Sequence, residues 1–126
     1  MIYLNLASTD SLLYHPQNSA YDFTVELPQT IEGQFKCALL EFRCTTIGEQ
    51  LYVYSNICEP QYVHDAIRPL LRIVSESGEV TLPHYKTVTR QEIQRIHIYV
   101  RNRHFDIPTH TLIGPVRITL ALEEHI

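Results

Sequence analysis

The stretch LYVYSNICEPQYVHDAIRPLLRIV, residues 51–74, decides the fold of this chain. Its first seven residues alternate like a half-buried strand, with one side formed by Leu51, Val53, Ser55 and Ile57 and the other by Tyr52, Tyr54 and Asn56. A segment containing Pro60 and Asp65 follows, and Pro69 opens a second apolar run that ends at Val74. Proline is tolerated at the first residue of a strand. The stretch therefore predicts a strand, a surface loop of about ten residues and a second strand.

Length and composition are those of one folded domain spanning residues 1–126. Hydrophobic residues make up 44% of the 126 residues, which is enough for one core and too many for a disordered chain. The formal net charge is −4. Contact with nucleic acid is therefore possible at a local patch but is not expected of the whole surface.

The three cysteines, Cys37, Cys44 and Cys58, form no C-x-x-C pair. An odd number without metal-type spacing predicts buried thiols in a reducing compartment. The opening residues, MIYLNLASTD, lack the basic and apolar regions of a signal peptide. The chain also lacks a run of about 18 apolar residues, so no membrane span is expected.

Alternation of apolar and polar residues continues along the chain and predicts eight strands: 2–6, 21–27, 35–44, 51–57, 69–74, 79–88, 95–101 and 116–123. Residues 35–44 are apolar on both sides and also fit a short helix, but their neighbours favour a strand. Pro28 is expected to end the second strand, and residues 89–94 fit one helical turn. In the polar segment before Tyr21, the apolar residues Leu12, Leu13 and Tyr14 are expected to tuck in.

Eight strands with long, uneven connections favour an all-β, two-sheet sandwich of the single jelly-roll type. An eight-stranded immunoglobulin-like sandwich is the structural alternative.

The chain offers little that predicts catalysis. Its seven histidines form no i, i+2 pair on one strand face, although His104 and His110 share a loop near His97. Cys37 and Cys44 lie in an apolar run and Cys58 lies beside Glu59, and both settings disfavour a reactive thiolate. Since no phosphate-binding or nucleophile motif occurs either, we expect no enzyme activity, metal, cofactor or small-molecule substrate.

Arginine and tyrosine are enriched in the cores of protein interfaces. Alternation places both on the outward faces of two predicted strands, and the candidate interface is formed by Tyr52, Tyr54, Arg95, His97, Tyr99, Arg101 and Arg103. With Lys86 and Arg90, the arginines make a local basic cluster. This cluster is either a solvated face with scattered ion pairs or a face that meets acidic protein or packaged nucleic acid.

Three segments carry a resemblance to a known family: LYVYSNICEPQYV with the RPLLRIV run, PHYKTVTRQEIQRIHIYVRN, and GPVRITLALE. Together with the opening residues 3–31, they resemble the minor capsid, or penton, protein of Polinton (Maverick) elements and related adintoviruses. The likeness covers nearly the whole chain. It departs at Asn56, where aspartate is common, and at His64–Asp65, where a glycine–aspartate pair is usual.

The resemblance implies a single jelly-roll capsid domain, five copies of which close the vertices of an icosahedral capsid. It implies a double-jelly-roll major capsid protein as partner. It also implies a location in the virion, after assembly in the host nucleus or cytoplasm. Two other hypotheses stay open: a β-sandwich recognition module for a receptor, glycan or host protein, and a small cupin-like metalloenzyme.

Overall fold

The computed structural model describes residues 1–108 and 114–124. Within these ranges the chain forms eleven β-strands: β1 Ile2–Ala7, β2 Asp22–Glu32, β3 Phe35–Arg43, β4 Leu51–Ser55, β5 Gln61–Val63, β6 Ala66–Arg68, β7 Leu70–Val74, β8 Gly78–Glu79, β9 Lys86–Thr87, β10 Glu92–Arg101 and β11 Arg117–Glu124. Over the same ranges, no helix is long and apolar enough to cross a membrane. The expectation of an all-β chain is confirmed.

The strands form two large antiparallel sheets and one small hairpin. The first sheet has the order β1-β11-β3, with both β8 and β9 paired to the far side of β3. The second sheet has the order β2-β10-β4-β7, and β5 pairs with β6 alone. Most consecutive long strands therefore lie in different sheets.

Strand pairing is nested along the chain. The outermost strands β1 and β11 pair with each other, and β2 pairs with β10. Inside them, β3 pairs with β8 and β9, and β4 pairs with β7. The chain thus resembles one long hairpin that has been folded into two layers.

The core lies between the two sheets and follows the predicted alternation. In β10, Ile96, Ile98 and Val100 are fully buried, and they meet Phe23 and Val25 of β2 in the same cluster. Val116 and the inward side chains of β11 close the core from the first sheet. The faces predicted for these strands are therefore correct.

Residues 79–88 do not form the single strand that was predicted. Only the two-residue strands β8 and β9 form there. The carbonyl oxygens of Thr81 and Leu82 instead accept hydrogen bonds from the Arg72 guanidinium, at 2.8 and 2.9 Å. Leu82 has a φ of 52°, and Pro83 has no N–H for a ladder. These features prevent continuous pairing.

Two further local predictions are wrong. β2 continues through Pro28 to Glu32, because β2 is an edge strand and the ladder between β2 and β10 shifts register between Ile93 and Arg95. A proline is tolerated at such an edge or bulge. Residues 89–94 form no helical turn, since β10 already begins at Glu92.

The segment predicted as a plain loop after β4 contains the β5–β6 hairpin. Tyr62 and Ile67 form a cross-strand pair in it and are 88% and 64% exposed. Val63, next to Tyr62, points the other way and is buried. One face of the hairpin is therefore buried at Val63, and the other face exposes the apolar pair Tyr62 and Ile67 to solvent.

Candidate functional site

The seven predicted interface residues lie on one side of the molecule. Six of them occupy the outer face of the neighbouring strands β4 and β10, where Tyr54 pairs with Tyr99 and Tyr52 with Arg101. The seventh, Arg103, follows β10 in the next loop. Sequence alternation therefore identified a real common face.

Tyr52 and Tyr54 lie on the outward face of β4, as predicted, but they are buried there, which corrects their assignment as accessible interface residues. Their exposed fractions are 4% and 1%. They form a second, smaller core with Val63 of the hairpin, and Tyr99 and Phe105 pack against it. Because the hairpin and the loop after β10 fold back over β4, neither tyrosine is available to a partner in this conformation.

The second core is an aromatic stack. The rings of Tyr54 and Tyr99 lie 5.0 Å apart and nearly parallel, at 13°. Phe105 meets both rings edge-on, at 5.5 and 6.1 Å. Aromatic pairs in such arrangements contribute beyond their buried area. Burial raises the pKa of the Tyr54 and Tyr99 hydroxyls above the ordinary value of 10.

Two contacts hold the covering segments in place. The Tyr52 hydroxyl and His64 Nε2 lie 2.8 Å apart, and His64 adopts a φ of 55° in the hairpin turn. The guanidinium of Arg68 lies 3.4 Å from the centre of the Phe105 ring. This is a cation–π contact that joins the hairpin to the loop after β10.

The charged part of the face is largely paired within the chain. Arg95 Nε lies 3.2 Å from a Glu26 carboxylate oxygen, and His15 Nε2 lies 2.8 Å from the same oxygen. His97 and Arg101 contact the two carboxylate oxygens of Asp22, at 2.6 and 3.4 Å. Since Asp22 and Glu26 of β2 supply the counter-charges, this half of the basic cluster is a face of ion pairs.

Glu26 makes the stability of the folded protein depend on pH in a testable way. The hydrogen bond from His15, with that from Arg95, holds the pKa of the Glu26 carboxyl below its ordinary value of 4.5. A carboxyl with a lowered folded-state pKa adds stability above its unfolded pKa and loses it as the pH falls through the folded value. We expect the urea midpoint to fall more steeply for the parent than for Glu26→Gln between about pH 5 and pH 3. Parallel curves for the two proteins would contradict this.

A cleft lies where the hairpin meets the loop after β10. Its volume is about 370 Å³. It is lined by Tyr54, Val63, His64, Asp65, Arg68, Arg103, His104 and Phe105. Of the predicted residues, only Tyr54 and Arg103 lie here. The contributions of His64, Arg68 and Phe105 were missed, because nothing in the sequence indicates that two separate loops meet.

The pKa values of the three thiols are shifted in the direction that their sequence context predicted. Burial raises the pKa of Cys37, and burial, which outweighs the opposing effect of Lys86, raises the pKa of Cys58 to about 12. Cys44 is only half-buried, which corrects the expectation of three buried thiols, but partial burial still raises its pKa. All three are free.

In the described ranges, no group of three or more His, Cys, Asp or Glu side chains that could hold a metal ion is found. His110, which shares a loop with His104 in the sequence, lies outside the residues that the structure describes.

Comparisons of the chain with models of protein families, with curated proteins and with solved structures find no match.

Proposed function

We propose that this chain is a single jelly roll that serves as a minor capsid (penton) protein, with five copies closing a capsid vertex. The observation that carries the proposal is the nested strand pairing, first with last and inward to β4 with β7. A jelly roll has eight main strands in two packed sheets. Counting the short β8 and β9 as one interrupted strand gives eight main strands here, with the β5–β6 hairpin as an insertion.

The strand order favours this fold over the immunoglobulin-like alternative. In immunoglobulin domains the first two strands are neighbours in one sheet. Here β1 and β2 lie in different sheets and pair with the last two long strands. Together with the sequence resemblance, which spans nearly the whole chain, this order supports a capsid jelly roll.

Ring closure requires a heterologous contact, in which two different patches of each copy meet. Two of the exposed apolar patches among the described residues lie in different segments of the chain. One is the hairpin pair Tyr62 and Ile67, and the other is formed by Leu13 and Tyr14, 87% and 72% exposed, in the loop between β1 and β2. The expectation that Leu12, Leu13 and Tyr14 tuck in is wrong. We propose these patches as the contact surfaces in place of the buried Tyr52 and Tyr54.

Mass photometry and sedimentation velocity test the proposal, on the chain alone and mixed with a double-jelly-roll major capsid protein. We expect a species of five times the 14.7 kDa chain mass. Tyr62→Lys should weaken association by about tenfold or more, since exposed aromatic anchors carry much interface energy. Ser75→Lys, at an exposed position between β7 and β8, is the matched control. A chain that stays monomeric and does not bind the major capsid protein would exclude a vertex role.

The cleft favours a second candidate function, a recognition module for an anionic ligand such as an acidic glycan. Arg68, Arg103, His64 and His104 line it against a single carboxylate, Asp65. Arginine suits carboxylate and sulfate groups because its planar fork donates paired hydrogen bonds. Stable rings that bind nothing on an array of acidic glycans would leave only the capsid role.

A further inference from the structure

Among the residues that the structure describes, no strand pairs with the outer edge of β1 in the first sheet. Ser8 N–H donates to the Val116 carbonyl at 2.8 Å, on the side of β1 that faces β11. In an antiparallel ladder, alternate residues point their N–H and C=O groups to opposite sides. The backbone groups of Tyr3 and Asn5 therefore point away from β11, toward the open edge. Those of Ala7 point the same way but are bonded to Asp10.

The sequence of β1, IYLNLA, has none of the usual devices that protect an edge. It contains no charge and no proline, and it runs for six residues. Native sheets commonly guard long edges with charges, prolines, bulges or covering segments. Tyr3, on its outer face, is 59% exposed.

The outer edge of β2 in the second sheet is, by contrast, covered by hydrogen bonds from another segment. The side-chain amide of Asn18 donates to the Thr24 carbonyl at 2.8 Å, and its oxygen accepts from Thr24 N–H at 3.0 Å. Glu26 N–H donates to the Ser11 hydroxyl at 2.9 Å. The loop between β1 and β2 therefore occupies the outer edge of β2 in place of a neighbouring strand.

A groove of about 400 Å³ lies between the open edge of β1 and the closed edge of β2. Leu4 and Leu6 line it from β1, and Val25 and Leu27 line it from β2. Leu4 and Leu27 are only half-buried. An additional strand beside β1 would point alternate side chains into this groove, toward its apolar residues.

Acidic side chains stand at the rim of the groove. Asp10 and Glu26 both line it. Glu26 is already paired with His15 and Arg95, whereas Asp10 has no cationic partner among the residues that the structure describes. A segment bound along the edge of β1 would therefore gain from a basic residue placed near Asp10.

We propose that β1 is an acceptor for an extended segment of a different protein chain, which adds to the first sheet as a strand. Backbone hydrogen bonds to Tyr3 and Asn5 would hold it, apolar side chains at alternate positions would fill the groove, and a basic residue would face Asp10. This mode of recognition is β-strand addition. Since the loop between β1 and β2 occupies the adjacent edge, the site accepts a single strand more readily than a second sandwich. The inference does not rest on the proposed capsid function.

Selection from a random peptide library tests the proposal. Displayed peptides of about nine residues, somewhat longer than one strand, are selected on the full chain, and the enriched sequences are synthesised. We expect alternating apolar residues with a lysine or arginine. Saturation with such a peptide should slow hydrogen exchange at the amides of Tyr3 and Asn5, which face the open edge.

Two variants separate the backbone from the side chain at this edge. Tyr3→Pro removes the N–H that faces the incoming strand, and Tyr3→Ala keeps it. We expect fluorescence anisotropy to show binding weakened at least about tenfold further in Tyr3→Pro than in Tyr3→Ala. The exchange measurement uses the parent chain, so it decides the matter even where Tyr3→Pro fails to fold.

Three results would overturn the proposal. The library yields no enriched peptide, or the enriched peptides bind while the amides of Tyr3 and Asn5 exchange as fast as in the free chain. In the third result, the parent protects these amides without peptide and dimerises, which identifies a second copy as the occupant.

Discussion

Replacing Ile98 with aspartate should prevent this protein from folding. Ile98 is fully buried between Phe23 of β2 and Ser55 of β4, at the centre of the second sheet. An unpaired carboxylate in this position costs at least about 4 kcal/mol, a large part of the roughly 5–15 kcal/mol that stabilises a typical domain. Far-ultraviolet circular dichroism and urea unfolding measure the effect.

Two controls accompany Ile98→Asp. Ile98→Val keeps the site apolar and should cost only about 1 kcal/mol. Gln94→Asp places the same charge at an exposed position of the same strand and should leave the fold intact. An Ile98→Asp protein with the parent's spectrum and urea midpoint would mean that the inner and outer faces of β10 are reversed.

Replacing Tyr54 with alanine should destabilise the protein by about 3 kcal/mol, the usual cost of truncating a buried aromatic residue. Tyr54 is 1% exposed, stacks on Tyr99 and receives the edge of Phe105. Its loss should also loosen the β5–β6 hairpin, because Val63 of that hairpin packs against the same cluster. Urea unfolding measures the stability, and hydrogen exchange at residues 61–68 measures the loosening.

The matched variant is Tyr54→Phe, which keeps the ring. We expect it to remain within about 1 kcal/mol of the parent, since the packing is conserved. Equal stability of Tyr54→Ala and Tyr54→Phe would show that the second core adds nothing to the fold. Faster exchange throughout the chain, and not mainly in the hairpin, would contradict the local role of the cluster.

Strands whose burial depends only on the opposite sheet could be predicted from the sequence. In β10, isoleucine and valine at every second position are sufficient to assign the inner face, and the structure buries each of them. Such alternation depends on the two-residue period of a strand and not on knowing its neighbours. It also placed Arg95, His97, Tyr99 and Arg101 on one common outer face.

The burial of Tyr52 and Tyr54 could not be predicted in the same way. Alternation shows that they point away from the main core, but not that a later segment returns to cover them. The strands that cover them, β5 and β6, have three residues each, which is too short for a periodic signal. Phe105 reaches the cluster from a different loop.

The pairing of the charged residues depends on register between distant strands. Arg95 lies opposite Glu26, and Tyr99 lies opposite Asp22. A shift of one residue would move every side chain of β2 to the other face. The sequence shows that β2 carries acidic residues and β10 carries basic ones, but which of them form ion pairs is known only once the two strands are aligned.

The nested pairing also constrains how the chain folds while it is being synthesised. β1 is made before the other strands that the structure describes, whereas the strand that it pairs with, β11, is made after all of them. Until then the uncharged segment IYLNLA lacks the strand that it pairs with in the described fold, and long-range contacts of this kind form slowly. We therefore expect this segment to be prone to aggregation until β11 has been made.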